Sequence, residues 1–198
     1  MITGERIRFR AVERADLPTF VRWLNDPEVQ KGILIHQPIS QVREENWFEG
    51  MIKRPDDEQI MGIEVRLLGD RTGLLGIKGN EPGPQGGEEA WKLIGTTAFD
   101  NIDWRNRSSE FGIMIGDKTY WNQGYGTEAV RLIVKHGFNT LNLNRIFLHV
   151  FENNPRAIRS YEKAGFVHEG KLRQTEFMDG KYVDTLVMSI LREEFLSG

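Results

Sequence analysis

One stretch of the sequence leaves little topological freedom. EFGIMIG (110–116) reads as a strand, an amphipathic helix opens at Gly124 and runs to about Asn139, and RIFLHVF (145–151) reads as a second strand. In that order the three form a βαβ crossover, which brings two parallel strands into one sheet under a helix. The flanking patterns differ. RIRFRAV (6–12) alternates Ile7, Phe9 and Ala11 against arginines, the period of a half-buried strand. Asp16 is expected to cap a helix carrying Leu17, Phe20, Val21 and Leu24, with Pro18 tolerated in its first turn and NDP ending it. A second helix is expected from Ser40 to about Lys53, with Val42, Trp47, Phe48 and Met51 as apolar members. Strand patterns follow at 60–68 and 91–102, separated by GNEPGPQGGEEA (79–90), whose Gly, Pro and charge predict a mobile excursion, either a lid or an ornamental loop. After the crossover come a short helix from Pro155 to Ala164 and a hairpin turning at Asp179 and Gly180. The layout predicts a mixed α/β or α+β fold in a single domain over residues 1–198.

Composition narrows the function. The net charge of -3 comes from 26 basic and 29 acidic residues that are interspersed, so no basic face for nucleic acid is announced. The absence of cysteine removes disulfides, thiolate metal sites and a cysteine nucleophile. The start is charged and strand-like, and no run approaches the roughly 20 apolar residues of a membrane span. A cytoplasmic protein, without membrane or nucleic-acid partners, is expected.

GYGTEA (124–129) matches the dinucleotide fingerprint G-x-G-x-x-G/A, and Glu152 follows roughly where a ribose-binding acid would stand. That fingerprint belongs in a tight turn directly after a strand, whereas here the eight residues GDKTYWNQ intervene. The rest of the chain also lacks repeated βαβ units, and no Lys-Ser/Thr follows the glycines as a P-loop requires. The physics of the turn survives both failures. A helix N-terminus exposes unpaired N–H groups and partial positive charge, and glycines let an anion approach the backbone. The alternative is a turn shaped by glycine and holding nothing.

Taken with NNPRAIRSYEKAGF (153–166), about thirty residues further on, the turn resembles the GCN5-related N-acetyltransferase superfamily, and most closely its branch of ribosomal-protein N-terminal and spermidine acetyltransferases. The resemblance spans almost the whole chain. It implies a central, mostly antiparallel, splayed sheet of about seven strands flanked by about four helices. It also implies acetyl-CoA as co-substrate, no metal, and transfer of acetyl to an amine by direct attack on the thioester. By the same resemblance, backbone amides of Gln123, Gly124, Tyr125, Gly126 and Thr127 hold the CoA pyrophosphate, the main chain near Ile113, Met114 and Ile115 pairs with pantetheine, and Asn154 contacts the pantetheine arm. Tyr161 matches the tyrosine beside the sulfur, a candidate acid for the thiolate. One departure stands out: Trp121 occupies the position, three residues before the first glycine, where the family commonly has Arg or Gln.

An amine with a pKa of about 8 to 10 is mostly protonated at pH 7, so something must take its proton. Two residues compete. Glu110 lies fourteen residues before Gly124, the offset of the catalytic glutamate in the superfamily's histone acetyltransferases. His149 lies twelve before Tyr161, where ribosomal-protein alanine acetyltransferases carry a glutamate. The spacing favours Glu110 by a small margin, acting through water; its plain alternative is a surface carboxylate paired with Arg105 or Arg107. Protein N-termini, polyamines, aminoglycosides and amino sugars are all acceptors among such relatives. Trp47, Phe48, the 79–90 excursion and the hairpin around Asp179, Gly180 and Tyr182 are expected to select among them, and Glu44, Glu45 and Glu49 hint at a cationic acceptor. Exposed strand edges and the hairpin leave room for a homodimer. The rival readings are a non-catalytic CoA-binding sensor and, further off, an NAD(P)-dependent oxidoreductase.

Overall fold

The structure, a computed structural model, describes residues 1–67 and 90–197. The 79–90 excursion therefore lies, except for Ala90, outside the described residues. Among those described, eight strands form one sheet: β1 (Ile2–Thr3), β2 (Ile7–Ala11), β3 (Met61–Leu67), β4 (Ala90–Asp103), β5 (Ser108–Ile115), β6 (Arg145–Phe151), β7 (Val167–Met178) and β8 (Lys181–Leu191). Their order is β1-β2-β3-β4-β5-β6-β8-β7, and every neighbouring pair is antiparallel except β5 and β6. Six α-helices accompany them: α1 (Leu17–Leu24), α2 (Pro27–Gln30), α3 (Gln41–Met51), α4 (Tyr125–Asn139), α5 (Pro155–Lys163) and α6 (Arg192–Ser197). The mixed fold expected from sequence is thus observed, with one strand and two helices more. The additions β1, α2 and α6 are too short to show a period.

The sheet separates two cores. On one face α4 buries Val130, Ile133, Val134 and Phe138 against Phe9, Phe99, Phe111, Ile146 and Leu148. Each such side chain stabilises the fold by about 1.5–3 kcal/mol. Gly137 lets α4 approach closely, because a Cβ there would sit 2.7 Å from the Phe99 ring and 2.8 Å from Ile146. On the other face α1 and α3 bury Leu17, Phe20, Trp23, Phe48 and Met51, with Leu93 and Met114 of the sheet packed against them.

Several local expectations change. Asp16 is helical itself and makes no side-chain cap to α1. Its carboxylate instead accepts from the Glu13 amide at 2.8 Å and from the Arg10 guanidinium at 2.7 and 2.9 Å. Ala11 is exposed while Val12 is buried, because the strand period ends where β2 ends. NDP closes α1 but also opens α2: the Asp26 carboxylate accepts from the Glu28 amide at 2.9 Å ahead of Pro27. Ser40 caps α3 as expected, accepting from the Arg43 amide at 3.2 Å, yet Val42 points to solvent. The hairpin turns at Asp179 and Gly180, both with positive φ, as the sequence requires.

Candidate active site

The parallel pairing of β5 and β6 covers only Ser108–Glu110 against Arg145–Phe147. Beyond Glu110 the two strands part, while β5 stays paired with β4 as far as Ile115. The Gly116 amide donates to the Ile94 carbonyl across β4 at 2.9 Å, so strand alternation turns the backbone groups of Ile113 and Ile115 toward the gap. A cavity of about 610 Å³ occupies this splay and passes through the sheet. Phe111, Val130 and Tyr161 line it from the α4 and α5 face; Ala98, Asp100 and His149 line it from the other. Main-chain pairing sites at Ile113 and Ile115 are thereby available, with one change. The Ile115 carbonyl already accepts the Trp121 indole N–H at 2.7 Å.

At one end of the cavity lies the glycine turn. Gly124, with φ of 84°, precedes α4 and offers no side-chain cap, so the first amides of the helix, from Tyr125 on, face outward without intrahelical partners. The turn is held from outside. The Arg6 amide and guanidinium donate to the Glu128 carboxylate at 2.8 and 2.7 Å, and Arg6 Nη1 donates to the Gln123 carbonyl at 3.2 Å. On the α5 side Thr127 Oγ1 donates to Ser160 Oγ at 3.2 Å. These amides present partial positive charge to the cavity, an arrangement that suits an anion.

Tyr161 is buried, edge-on to Phe111 with ring centroids 5.9 Å apart. No hydrogen bond joins its hydroxyl to any described residue, and burial pushes the phenol up to about 12. Asn154 lines the cavity while capping α5: its Oδ1 accepts from the Ala157 amide at 3.2 Å, leaving the amide nitrogen for other partners. Glu110 and His149, rivals by spacing, touch each other. His149 Nδ1 lies 2.6 Å from Glu110 Oε1. Glu110 therefore pairs with neither Arg105 nor Arg107. A carboxylate without a proton only accepts, so the contact is made by an N–H on Nδ1; in the neutral ring of that tautomer Nε2 is the acceptor.

The acceptor-selecting residues expected from sequence lie elsewhere. Phe48 belongs to the second core, Trp47 packs edge-on to Phe20 at 6.2 Å, and neither lines the cavity. Tyr182 borders a separate recess with Glu152 and Asp184. Glu44 is buried, Glu45 accepts from Gln41 and Glu49 is ion-paired with Arg14, so the acidic run on α3 does not reach the cavity. Spacing missed two cavity residues, Arg54 and Asp100, which form an ion pair. Asp100 is the cross-strand partner of Glu110, so Asp100, Glu110 and His149 share one face of three adjacent strands. Spacing also missed Arg156, whose guanidinium stacks 3.4 Å over the Trp121 ring. Burial lowers the Arg156 pKa, against the attraction of Glu28.

Among the described residues, no group of three or more His, Asp or Glu is placed to hold a metal, and no helix is long and apolar enough to cross a membrane. The acetyltransferase (GNAT) domain model matches residues 6–167. A spermidine N(1)-acetyltransferase of Vibrio cholerae is 37% identical over 196 residues, 98% of each chain. An uncharacterized N-acetyltransferase, p20, of Bacillus licheniformis is 30% identical over 193 residues, 96% of each. A spermidine N-acetyltransferase structure from Vibrio cholerae, in complex with CoA and spermine, superposes with a TM-score of 0.78 at 26% identity, covering 98% of this chain and 99% of that one.

Proposed function

Because the chain belongs to the GNAT acetyltransferase family and is an acetyl-CoA-dependent N-acetyltransferase, we propose that its acceptor is a polyamine of the spermidine class. We further propose that Glu110, His149 and Tyr161 carry the transfer. The observation behind the second proposal is the through-sheet cavity, flanked by Tyr161 on one face and by the Glu110–His149 pair on the other. A reaction that removes a proton from an amine and stabilises a departing sulfur needs groups on both sides.

Acetyl-CoA supplies an activated thioester; the chain supplies position, a proton acceptor and a hydrogen-bond donor. Amides of Gln123, Gly124, Tyr125, Gly126 and Thr127 hold the diphosphate, and the gap-facing main chain at Ile113 and Ile115, with Met114 between them and with Asn154, lines the pantetheine path. His149 Nε2 takes the proton of the attacking amine nitrogen, while Glu110 fixes the ring and stabilises the imidazolium that forms. Tyr161 donates a hydrogen bond to the sulfur as the N–C bond forms and the C–S bond breaks; the products are the N-acetylated amine and CoA, which leaves as its thiolate while the proton taken by His149 passes to solvent. Full transfer of the Tyr161 proton to a thiolate, whose ordinary pKa is about 8.5, would be uphill by roughly 5 kcal/mol. Its contribution is therefore a hydrogen bond to the developing charge.

The polyamine reading rests on the relative that shares 37% identity over nearly the full chain. It is also supported by the carboxylate row of Asp100 and Glu110, which favours a cation beside His149. A cytoplasmic location and a homodimer fit this reading, the latter through β7, a sheet-edge strand exposed over most of its length. Acetyl transfer should be measured with spermidine, an N-terminal peptide, an aminoglycoside and an amino sugar. Spermidine is expected to give the highest kcat/KM. A preference for the peptide or the sugars would overturn the acceptor, and CoA binding without turnover of any amine would favour a sensor.

A further inference from the structure

The turn that receives the CoA diphosphate carries Trp121 where a cationic or amide side chain would reach the phosphates. Arg6, beside the turn, has its charge engaged by Glu128 at 2.7 Å. Arg156 differs. It lines the cavity from the first turn of α5, and among the described residues its guanidinium makes no hydrogen bond. Its guanidinium carbon lies over Trp121, 3.4 Å from the ring centroid. A stacked guanidinium keeps its N–H edge free, planar and fixed in direction, the form that binds phosphate oxygens in pairs. One helical turn on from Arg156 is Ser160, which accepts from Thr127 in the first turn of α4. The edge of Arg156 and the free amides of α4 therefore border the same end of the cavity. Trp121 is in turn fixed by its N–H bond to the Ile115 carbonyl.

From this geometry we propose, resting on the CoA reading above, that Arg156 stacked on Trp121 is the cationic contact for the 5′-diphosphate of the co-substrate. The clamp absent from the turn is supplied from α5. Arg159 and Lys163 also line the cavity from α5 and are the competing cations.

Isothermal titration with CoA, dephospho-CoA (which lacks the 3′-phosphate) and pantetheine (which lacks all phosphates) tests the assignment without turnover. For Arg156→Ala, affinity for CoA and for dephospho-CoA should fall alike, by about tenfold or more, with pantetheine unchanged. Arg156→Lys should recover only part of the loss, and Arg159→Ala should leave dephospho-CoA binding intact. Trp121→Leu should weaken CoA in the unaltered background and add little to Arg156→Ala, the non-additivity of a coupled pair. A loss confined to CoA would move Arg156 to the 3′-phosphate and overturn the proposal. An equal loss with pantetheine would make it a packing residue, with the same result. Failure of the unaltered chain to bind CoA would overturn the functional reading itself; normal binding by the unaltered chain and by Arg156→Ala alike would overturn this inference alone.

Discussion

His149 Nδ1 and Glu110 Oε1 stand 2.6 Å apart on neighbouring strands whose pairing ends at Glu110 and Phe147. If the pair works as base and orienting carboxylate, its members fail differently. His149→Gln should lower kcat/KM by about 10²–10⁴-fold and abolish the ascending limb of its pH profile. Glu110→Gln should cost less, because the ring keeps its basic nitrogen and loses only the carboxylate that orients it. A surviving, unshifted limb in His149→Gln would remove the histidine from the reaction.

Tyr161 has its ordinary value of 10.0 raised to about 12 by burial. The folded chain thus holds this proton where the unfolded chain has lost it. Its contribution to stability is complete below about pH 10 and falls by about 1.4 kcal/mol per pH unit as the pH rises toward 12. Urea unfolding of Tyr161→Phe should match the unaltered protein at pH 8 and lack this alkaline component. In assays at saturating amine the same variant should lower kcat with acetyl-CoA affinity nearly unchanged; an unchanged kcat would end its role at the sulfur.

Gly137 lies within α4, where alanine would ordinarily stabilise by about 1 kcal/mol. Here the added Cβ would meet Phe99 and Ile146 at 2.7 and 2.8 Å. Gly137→Ala should therefore destabilise by about 1–3 kcal/mol, read as a lower denaturation midpoint at unchanged m.

Asp100 is paired with Arg54 in the cavity, on the sheet face that carries Glu110 and His149. An ammonium of a polyamine would compete with Arg54 for the carboxylate. Asp100→Asn should raise KM for spermidine severalfold at nearly constant kcat, and Arg54→Met should lower it, the pattern of a contact equal in ground and transition states. Initial rates across spermidine concentration decide.

What could be read in the sequence was local. The crossover, the Gly124 helix start and the Asp179–Gly180 turn declare themselves through period and backbone conformation within a few residues. Asp16 does not cap α1 because a partner outside the helix, Arg10, competes for a carboxylate that local chemistry assigns to a cap. Trp47 and Phe48 show only that one face of α3 is apolar, not whether that face meets a ligand or α1. The site itself is assembled from distant pairs: Glu110 with His149, Arg54 with Asp100 and Trp121 with Arg156 are each separated by more than thirty residues. Spacing against a family nominated Glu110 and His149 separately, and only the register of β5 on β6 made them partners.

The splay has a mechanical consequence. Among the described residues, three residue pairs stitch β1–β5 to β6–β8 within the sheet. A ligand lying along Ile113 and Ile115 would act as a strut across that seam. Amide exchange along the open part of β5 and β6 should then slow on CoA binding more than anywhere else in the sheet, and the two flanks should move as one plate only when the strut is in place.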